Sequence, residues 1–237
     1  MTAATRKRLG VLVSGSGSNL QALIDACAAE DFPAEVAVVV CNVPGAFALE
    51  RAQRAGIATE VIDHRGFTLS RNNGDQAHDR AAFDARIVEA LQQHRVDAVC
   101  LAGFMRLVGA SLLEAFPHRV LNIHPSLLPA FPGLHGARQA LAHGVKVAGC
   151  TVHFVDAGLD SGPIIVQAAV PVLPDDDEKA LAARILAEEH RVYPLAVRWL
   201  CEDRLEISGR TVRVRGASPL TSQESQGSLR SPGGAEG

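Results

Sequence analysis

The strongest constraint on the fold of this chain is a repeated alternation between short apolar runs and longer amphipathic stretches. Runs such as AEVAVVV and DAVCLAG are almost continuously apolar, which is typical of strands buried on both faces of a sheet. Stretches of helical length separate these runs, so helical crossovers connect successive strands. Because such crossovers are right-handed, the pattern predicts an α/β fold with a doubly wound, mostly parallel sheet.

The parallel part is predicted within the first 143 residues. We predict strands over residues 8–13, 34–40, 57–62, 97–103 and 119–125, and helices over residues 19–29, 46–55 and 78–94. Two later apolar runs, 147–155 and 163–172, are joined only by a turn. A short connection of this kind predicts antiparallel pairing, and therefore an antiparallel C-terminal extension of the sheet.

The C-terminal third also contains a predicted helix and a predicted hairpin. The helix covers residues 177–200 and is interrupted or bent near Pro194, because proline removes a helical hydrogen bond. The hairpin turns at Ser208–Gly209. Residues 66–76 are polar and rich in turn formers, and are predicted to form a flexible loop.

Length and composition predict one domain. A chain of 237 residues that is 47% hydrophobic can bury one substantial core. We assign residues 1–215 to a single domain. Residues 216–237 are rich in Gly, Ser, Pro and Gln, and their small apolar content cannot offset the entropy of ordering. They are predicted to be a disordered tail.

Charge and cysteine usage narrow the class of protein. A formal net charge of -3 gives no reason to expect nucleic-acid or membrane binding. The sequence has no signal peptide and no apolar run of the ~18–20 residues that cross a membrane. The five cysteines lack the spacing of metal ligands and the nine histidines are dispersed, so no metal site is predicted. Reduced thiols favour a cytoplasmic protein.

The segment Ser14–Leu20 follows the first predicted strand and opens a helix. Its glycines permit a tight turn, and the free N–H groups and dipole of a helix start attract an anion such as a phosphate. Leu20 stands where a dinucleotide-binding loop has its third glycine, and the lysine of a Walker motif is missing. A monophosphate ester is therefore favoured. The alternative is a tight turn followed by an ordinary capped helix.

Two further segments contain residues suited to acid–base or oxyanion chemistry. Asn122 and His124 lie two residues apart at the end of a predicted strand, so they share a face at the ligand-binding edge of the sheet. An amide beside an imidazole suits a developing oxyanion. Downstream, Asp156 or Asp160 could hold and charge a nearby imidazole. The alternative is that all of these residues stabilise turns. Alternation does not decide which way His153 faces.

Taken in order, these segments resemble the formyltransferase family. The motifs are LNIHPSLLP and a downstream LDSGP, while SGSGSNLQA is similar to the folate-dependent members that formylate glycinamide ribonucleotide (GAR). The similarity runs from about residue 8 to residue 214. It implies a Rossmann-like formyltransferase fold, a catalytic domain over residues 1–215, and 10-formyltetrahydrofolate as co-substrate in purine biosynthesis. The family can dimerise, which leaves a homodimer open.

The resemblance also implies roles for individual residues. Asn122, His124 and Asp160 match the catalytic residues of the family, and Asn122 also lies on the folate side. Gly17, Ser18 and Asn19 match the loop that binds the GAR phosphate, and Glu189 matches a contact to the glycinamide. The folate-binding positions are Arg80, Met105, Arg106, Leu107 and Val108. Leu186 departs from the family, because a polar substrate-binding Gln can occur there.

The implied mechanism is direct attack by the substrate amine on the formyl carbon. Asn122 and His124 would stabilise the oxyanion, with His124 held protonated by Asp160, which would also assist proton transfer. Two alternatives remain open. A formyltetrahydrofolate deformylase would share these residues but usually carries a regulatory domain before the catalytic one. A non-enzymatic phosphate- or nucleotide-binding protein with a Rossmann-like fold would need only the loop.

Overall fold

The computed structural model describes residues 6–70 and 76–216 of the chain. The described strands are β1 (Lys7–Val13), β2 (Ala34–Cys41), β3 (Ala58–Val61), β4 (Thr68–Ser70), β5 (Gln76–His78), β6 (Ala98–Leu101), β7 (Val120–His124), β8 (Val147–Phe154), β9 (Ile164–Pro171), β10 (Leu205–Ser208) and β11 (Thr211–Val214). The described α-helices are α1 (Ser18–Cys27), α2 (Phe47–Arg54), α3 (Arg80–Gln93), α4 (Ala110–Ala115), α5 (Gly136–Ala142) and α6 (Glu178–Cys201), and a 3-10 helix covers His64–Gly66.

Nine strands form one sheet in the order β10-β11-β9-β8-β7-β6-β1-β2-β3. Within the run β7-β6-β1-β2-β3, each strand pairs parallel with the next. The pairs β7–β8 and β8–β9 are antiparallel. The prediction of a mostly parallel sheet with an antiparallel C-terminal extension is therefore confirmed, and so is the β10–β11 hairpin.

The sheet is covered on both faces, as the apolar strands require. Side chains of β1 show the division: Leu9, Val11 and Val13 belong to the core shared with α1, α2, α5 and α6, whereas Leu12 packs in the core with α3 and α4. In β7, Leu121 faces the first of these cores and Val120 the second. Asn122 and His124 therefore project on the α3 side of the sheet, because successive strand side chains alternate.

Helix α6 is fixed to the strands that carry the candidate site. Tyr193 is fully buried, and its hydroxyl lies 2.9 Å from the Leu101 carbonyl oxygen of β6 and 3.2 Å from that of Leu121 in β7. A buried hydroxyl needs such partners. Glu189 lies one helical turn before Tyr193 and is brought to the ends of the same strands.

Several local predictions differ from the structure. Helix α6 continues through Pro194, so an interruption there is wrong. Tyr193, Ala196 and Val197 are buried around the proline, and their packing offsets the missing hydrogen bond. Helices α4 and α5 were not predicted, because both are short and six or seven residues show little periodicity.

The segment predicted as a loop at residues 66–76 contains the start of a small two-stranded sheet. Thr68–Ser70 pairs antiparallel with Gln76–His78. Residues 71–75, like the predicted tail from residue 217 onward, lie outside the described residues. Among the described helices, none is both long and apolar enough to cross a membrane.

Candidate active site

A cleft of about 740 Å³ opens at the carboxyl ends of β6 and β7, beside the start of α1. The sheet order reverses its direction between β6 and β1, which is where open α/β sheets bind ligands. The cleft brings together residues that are distant in sequence. The predicted site residues that line it are Asn19, Arg80, Met105, Arg106, Leu107, Val108, Asn122, His124, Asp160 and Glu189.

Gly17 and Ser18, which were also predicted for the site, do not line this cleft. Gly17 precedes α1 with φ +70°, a left-handed conformation that favours glycine. A Cβ atom there would come within 2.7 Å of the Ala48 Cβ, so the loop and α2 approach too closely for any larger residue. Ser18 lines a separate depression with Gln21, Arg51 and others. No side chain caps the start of α1, which leaves its N-terminal groups to a ligand.

Asn19 and Glu189 form a buried polar contact at the α1 end of the cleft. The Asn19 amide Nδ2 donates to Glu189 Oε2 over 2.6 Å, and both side chains are buried. Burial raises the pKa of the Glu189 carboxyl, while the Asn19 hydrogen bond and the charge of His124 act in the opposite direction. Asn19 Oδ1 is buried without a partner among the described residues. The pair therefore brings a buried carboxyl group and an acceptor without a protein partner to the α1 end of the cleft.

Asn122 is oriented by His153, whose position the sequence left undecided. The two residues are cross-strand partners in β7 and β8. His153 Nδ1 lies 2.9 Å from the Phe154 carbonyl oxygen, to which it donates, and burial lowers the pKa of its imidazole. In the neutral ring Nε2 is then an acceptor, and it lies 3.2 Å from Asn122 Nδ2. One amide hydrogen of Asn122 is used in this way, and the other can point into the cleft.

His124 lies between two acceptors. Its Nε2 is 3.0 Å from the Phe131 carbonyl oxygen, and its Nδ1 is 3.4 Å from Asp160 Oδ2. An imidazolium would satisfy both acceptors, because it carries a proton on each nitrogen. The Nδ1 separation is longer than an ordinary N–H···O hydrogen bond. The contact at Nδ1 is consequently the weaker of the two.

The structure separates the two carboxylates of the turn after β8. Asp160 points into the cleft, where Oδ2 accepts the Gly133 N–H over 2.8 Å, and its backbone is left-handed with φ +48°. Asp156 Oδ1 instead accepts the Gly158 N–H and the Ser161 hydroxyl within its own turn. Of the two alternatives in the sequence, Asp160 is the one beside the imidazole.

The opposite wall is formed by the segment from Met105 to Val108. The side chains of Met105 and Leu107 are 62% and 51% exposed, which is unusual for large apolar residues. The Met105 N–H donates to the Ser14 hydroxyl over 2.8 Å, and that hydroxyl donates to Asn42 Oδ1 over 2.5 Å. The end of β1 thus supports this apolar wall.

Two arginines line the mouth of the same wall, and a buried carboxylate lies behind it. Arg80 is the first residue of α3, and Arg106 lies within the apolar segment. Burial raises the pKa of the Asp84 carboxyl, against the opposing effects of a hydrogen bond from the Gly109 N–H and the charge of Arg80. Asp84 therefore supports both the segment and Arg80. Within residues 6–70 and 76–216, no group of His, Cys, Asp or Glu side chains is arranged to hold a metal ion.

Sequence reasoning left the facing of His153 undecided and missed the loop residues Phe131 and Gly133. The alternation signal is lost for His153 because all but the first residue of β8 is buried, so polar and apolar residues share both faces. The register with Asn122 would have identified it. The contacts of Phe131 and Gly133 are made by backbone atoms, for which residue type gives no signal.

The chain is similar to proteins of known name over most of its length. The sequence model of a family described as formyl transferase matches residues 7–197. Phosphoribosylglycinamide formyltransferase of Escherichia coli K12 is 44% identical over 197 residues, which are 83% of this chain and 88% of that protein. Trifunctional purine biosynthetic protein adenosine-3 of Drosophila melanogaster is 49% identical over 210 residues. The chain spans about 15% of the length of that relative.

Solved structures show the same relationship. Glycinamide ribonucleotide transformylase 1 from Symbiobacterium toebii superimposes with a TM-score of 0.81 at 56% identity, covering 88% of this chain and 94% of that one. Phosphoribosylglycinamide formyltransferase from Anaplasma phagocytophilum gives 0.80 at 41% identity, with 91% and 98% covered. The fold, the motifs and these matches together show that the chain belongs to the formyl transferase family.

Proposed function

We propose that the protein transfers the formyl group of 10-formyltetrahydrofolate to the amine of GAR, as the names of its relatives indicate for them. The products are formylglycinamide ribonucleotide and tetrahydrofolate, in purine biosynthesis. The observation that carries the proposal is the convergence of Asn122, His124 and Asp160 between a candidate phosphate loop and an apolar wall. One end of the cleft suits a phosphorylated amine, and the other suits a large, mostly flat co-substrate.

The residues of the apolar wall fit a reduced folate. A cleft of about 740 Å³ is in the range of drug-sized ligands. Met105, Leu107 and Val108 offer apolar contact to a ring system, and the backbone between them offers N–H and C=O groups. Arg80 and Arg106 provide positive charge at the mouth, which suits the carboxylates of a folate glutamate.

The folate supplies an electrophilic formyl carbon, and negative charge develops on the formyl oxygen as the amine nitrogen bonds to that carbon. Asn122 is placed to donate its second amide hydrogen to this oxygen, since His153 holds the first. A donor fixed before the reaction stabilises the charge without reorganisation. The amine is itself the nucleophile, so the protein provides position and electrostatics rather than a covalent intermediate.

His124 is placed to provide the second, charged donor. The Phe131 carbonyl anchors Nε2, and the long contact to Asp160 leaves the Nδ1–H able to share its hydrogen bond with the formyl oxygen. Asp160 balances the positive charge on the ring. It also assists transfer of a proton from the attacking amine to the departing folate nitrogen, after which the bond between that nitrogen and the formyl carbon breaks.

Asn19 and Glu189 are placed to receive the amine substrate. The Glu189 carboxylate suits the glycinamide or the ribose hydroxyls, and Gly17 and Ser18 offer backbone donors for the phosphate at the start of α1. Leu186 cannot make the polar contact that a Gln can make at this position. Recognition of the ribose therefore depends more on hydrogen bonds to Glu189.

The test is an assay of folate product with 10-formyltetrahydrofolate, with and without GAR. Formyl transfer that requires GAR would support the proposal. Equal product formation with water alone would instead identify a deformylase. Ligand binding without any product would identify a binding protein.

Location and assembly remain predictions of the proposal. We propose a cytoplasmic enzyme, and five buried free cysteines fit a reducing compartment. A homodimer remains a prediction that sedimentation of the purified protein would test.

A further inference from the structure

We propose that Arg51 is a positioning residue that orients the backbone amides of the candidate phosphate-binding loop. The inference rests on the proposed function and concerns the part of it that binds the substrate phosphate. Arg51 lies on α2, outside the segments that carry the family motifs. The proposed function gave Arg51 no role, but its side chain contacts the backbone of the loop.

Helix α2 holds the carbonyl groups of the loop from one side. The Ala48 N–H donates to the Gly15 carbonyl oxygen over 3.1 Å. The Arg51 guanidinium donates through Nε to the Ser16 carbonyl oxygen over 2.9 Å. A planar trans peptide directs its C=O and the following N–H in opposite directions. The N–H groups of Ser16 and Gly17 therefore point away from α2.

The same guanidinium fixes the loop relative to α1. Arg51 Nη1 donates to Gln21 Oε1 over 3.2 Å, while Nε holds Ser16. The ring of Phe47 lies 4.8 Å below the guanidinium carbon and limits its movement. Because a guanidinium has donors in a fixed fork, one side chain can set the angle between the loop and the helix start. Backbone amides in this arrangement bind an anion only if they converge.

Arg54 provides a matched control on the same helix. Its guanidinium carbon also lies over the Phe47 ring, at 5.6 Å, but its hydrogen bond is to Glu50 and not to the loop. Both arginines therefore carry the same charge and share the same aromatic neighbour. Only Arg51 contacts the loop backbone.

The experiment compares Arg51→Met, Arg51→Lys and Arg54→Met with the parent enzyme in steady-state formyl transfer. For Arg51→Met we expect the KM for GAR to rise roughly 10- to 150-fold, the range for a lost hydrogen bond to a charged group. The kcat and the KM for the folate should stay within about twofold, because the catalytic residues do not contact α2. Arg54→Met should leave all three constants unchanged. Arg51→Lys should remain impaired, since one ammonium cannot replace the fork.

A titration with ribose 5-phosphate gives a readout that does not need turnover. We expect its Kd to rise for both Arg51 variants and not for Arg54→Met, with similar thermal stability for all. An unchanged KM and Kd in Arg51→Met would overturn the inference, as would full recovery by lysine or an equal loss in Arg54→Met, both of which indicate charge alone. A parent enzyme that binds the sugar phosphate but does not formylate GAR would contradict the proposed function instead.

Discussion

The two walls of the cleft are built in different ways. The wall formed by α1 and α6 is buried and polar, with Asn19 and Glu189 in direct contact 2.6 Å apart. The wall formed by residues 105–108 is mostly apolar, with Met105 and Leu107 exposed, and its backbone is held at one end by the hydrogen bond from the Met105 N–H to Ser14. A small polar substrate loses affinity if one buried partner is missing, whereas a large apolar one gains from many weak contacts. The catalytic candidates lie between the two walls.

The largest loss is expected from Asp160→Asn, because it affects the residues between the walls rather than either wall. The variant keeps the size of the side chain but removes the charge that faces His124 Nδ1 at 3.4 Å. We expect kcat to fall at least 10³-fold, by analogy with the loss of the orienting carboxylate in other His–Asp pairs. Rapid-quench measurement of the single-turnover rate would test this.

Asp156→Asn is the control for that variant, since the same turn holds Asp156 through bonds to Gly158 and Ser161. The Asp156→Asn variant should be less stable than the parent, but its kcat should fall only a few-fold. A pH–rate profile of Asp160→Asn that overlaid the parent profile would show that Asp160 and His124 are not coupled.

Asn122→Ala should produce the next largest loss. Removing one oxyanion donor typically lowers turnover by about 10²- to 10³-fold. The KM values for both substrates should change little, because neither wall is touched. The fold should be retained, and circular dichroism would check it. If kcat were unchanged, Asn122 would have no part in stabilising the oxyanion.

The general architecture could be predicted from the sequence, whereas the contacts that tune the site could not. Apolar runs and their spacing specify the sheet, and Asn122 and His124 share a face because strand side chains alternate. The roles of His153, Phe131 and Gly133 depend on strand register and on backbone atoms brought from other segments. The local residue pattern did not separate Asp160 from Asp156. The family resemblance pointed to Asp160, and the course of the turn brings its carboxylate, not that of Asp156, to His124.

The lowered pKa of His153 predicts a loss of activity in acid. Burial keeps the imidazole neutral below its ordinary pKa, so Nε2 accepts from Asn122 at neutral pH. As the pH falls through this lowered pKa, Nε2 gains a proton and repels the Asn122 amide, and kcat should fall. Stability falls too, because the unfolded chain binds that proton first, beginning near pH 6.5.

The pH dependence of Asn122→Ala separates this cause from titration of the other groups. In that variant the fall of kcat in acid should lack the part that is due to His153, because there is no Asn122 amide for the protonated imidazole to repel. Titration of the His153 ring by NMR should share its midpoint with the kcat of the parent. A parent kcat that stayed constant while the ring gained its proton would contradict the coupling.

Glu189→Gln should lower activity and raise stability, which tests the polar wall. We expect a loss of about 10- to 100-fold in kcat/KM for GAR, typical of a contact to a charged group. Burial raises the pKa of Glu189, so the folded protein binds the proton of this carboxyl more tightly than the unfolded chain does. The protein therefore loses stability as the pH rises from the ordinary pKa of the carboxyl to its raised pKa in the folded state. Gln removes this cost, and Tm at pH 7.5 should rise by about 2–4 °C.

The control for Glu189→Gln is to compare the Tm of the variant with that of the parent protein at low pH. At about pH 3, well below the ordinary pKa of a glutamate, the carboxyl is neutral in both folded and unfolded chains, and the difference in Tm should disappear. An equal Tm difference at both pH values would assign the gain to packing rather than to the buried charge.

The smallest effect is expected from Ser14→Ala, and it separates the two walls. Ser14 lies at the start of the candidate phosphate loop, yet its hydroxyl accepts the Met105 N–H of the opposite wall. Losing this hydrogen bond should raise the KM for 10-formyltetrahydrofolate by about 3- to 10-fold. The KM for GAR should remain unchanged. Ser16 is exposed and lies two residues further along the same loop. Any effect of Ser16→Ala should be on the KM for GAR and not on the KM for the folate. If both variants raised the KM for GAR alone, Ser14 would belong to the phosphate wall, and the apolar wall would be ordered without it.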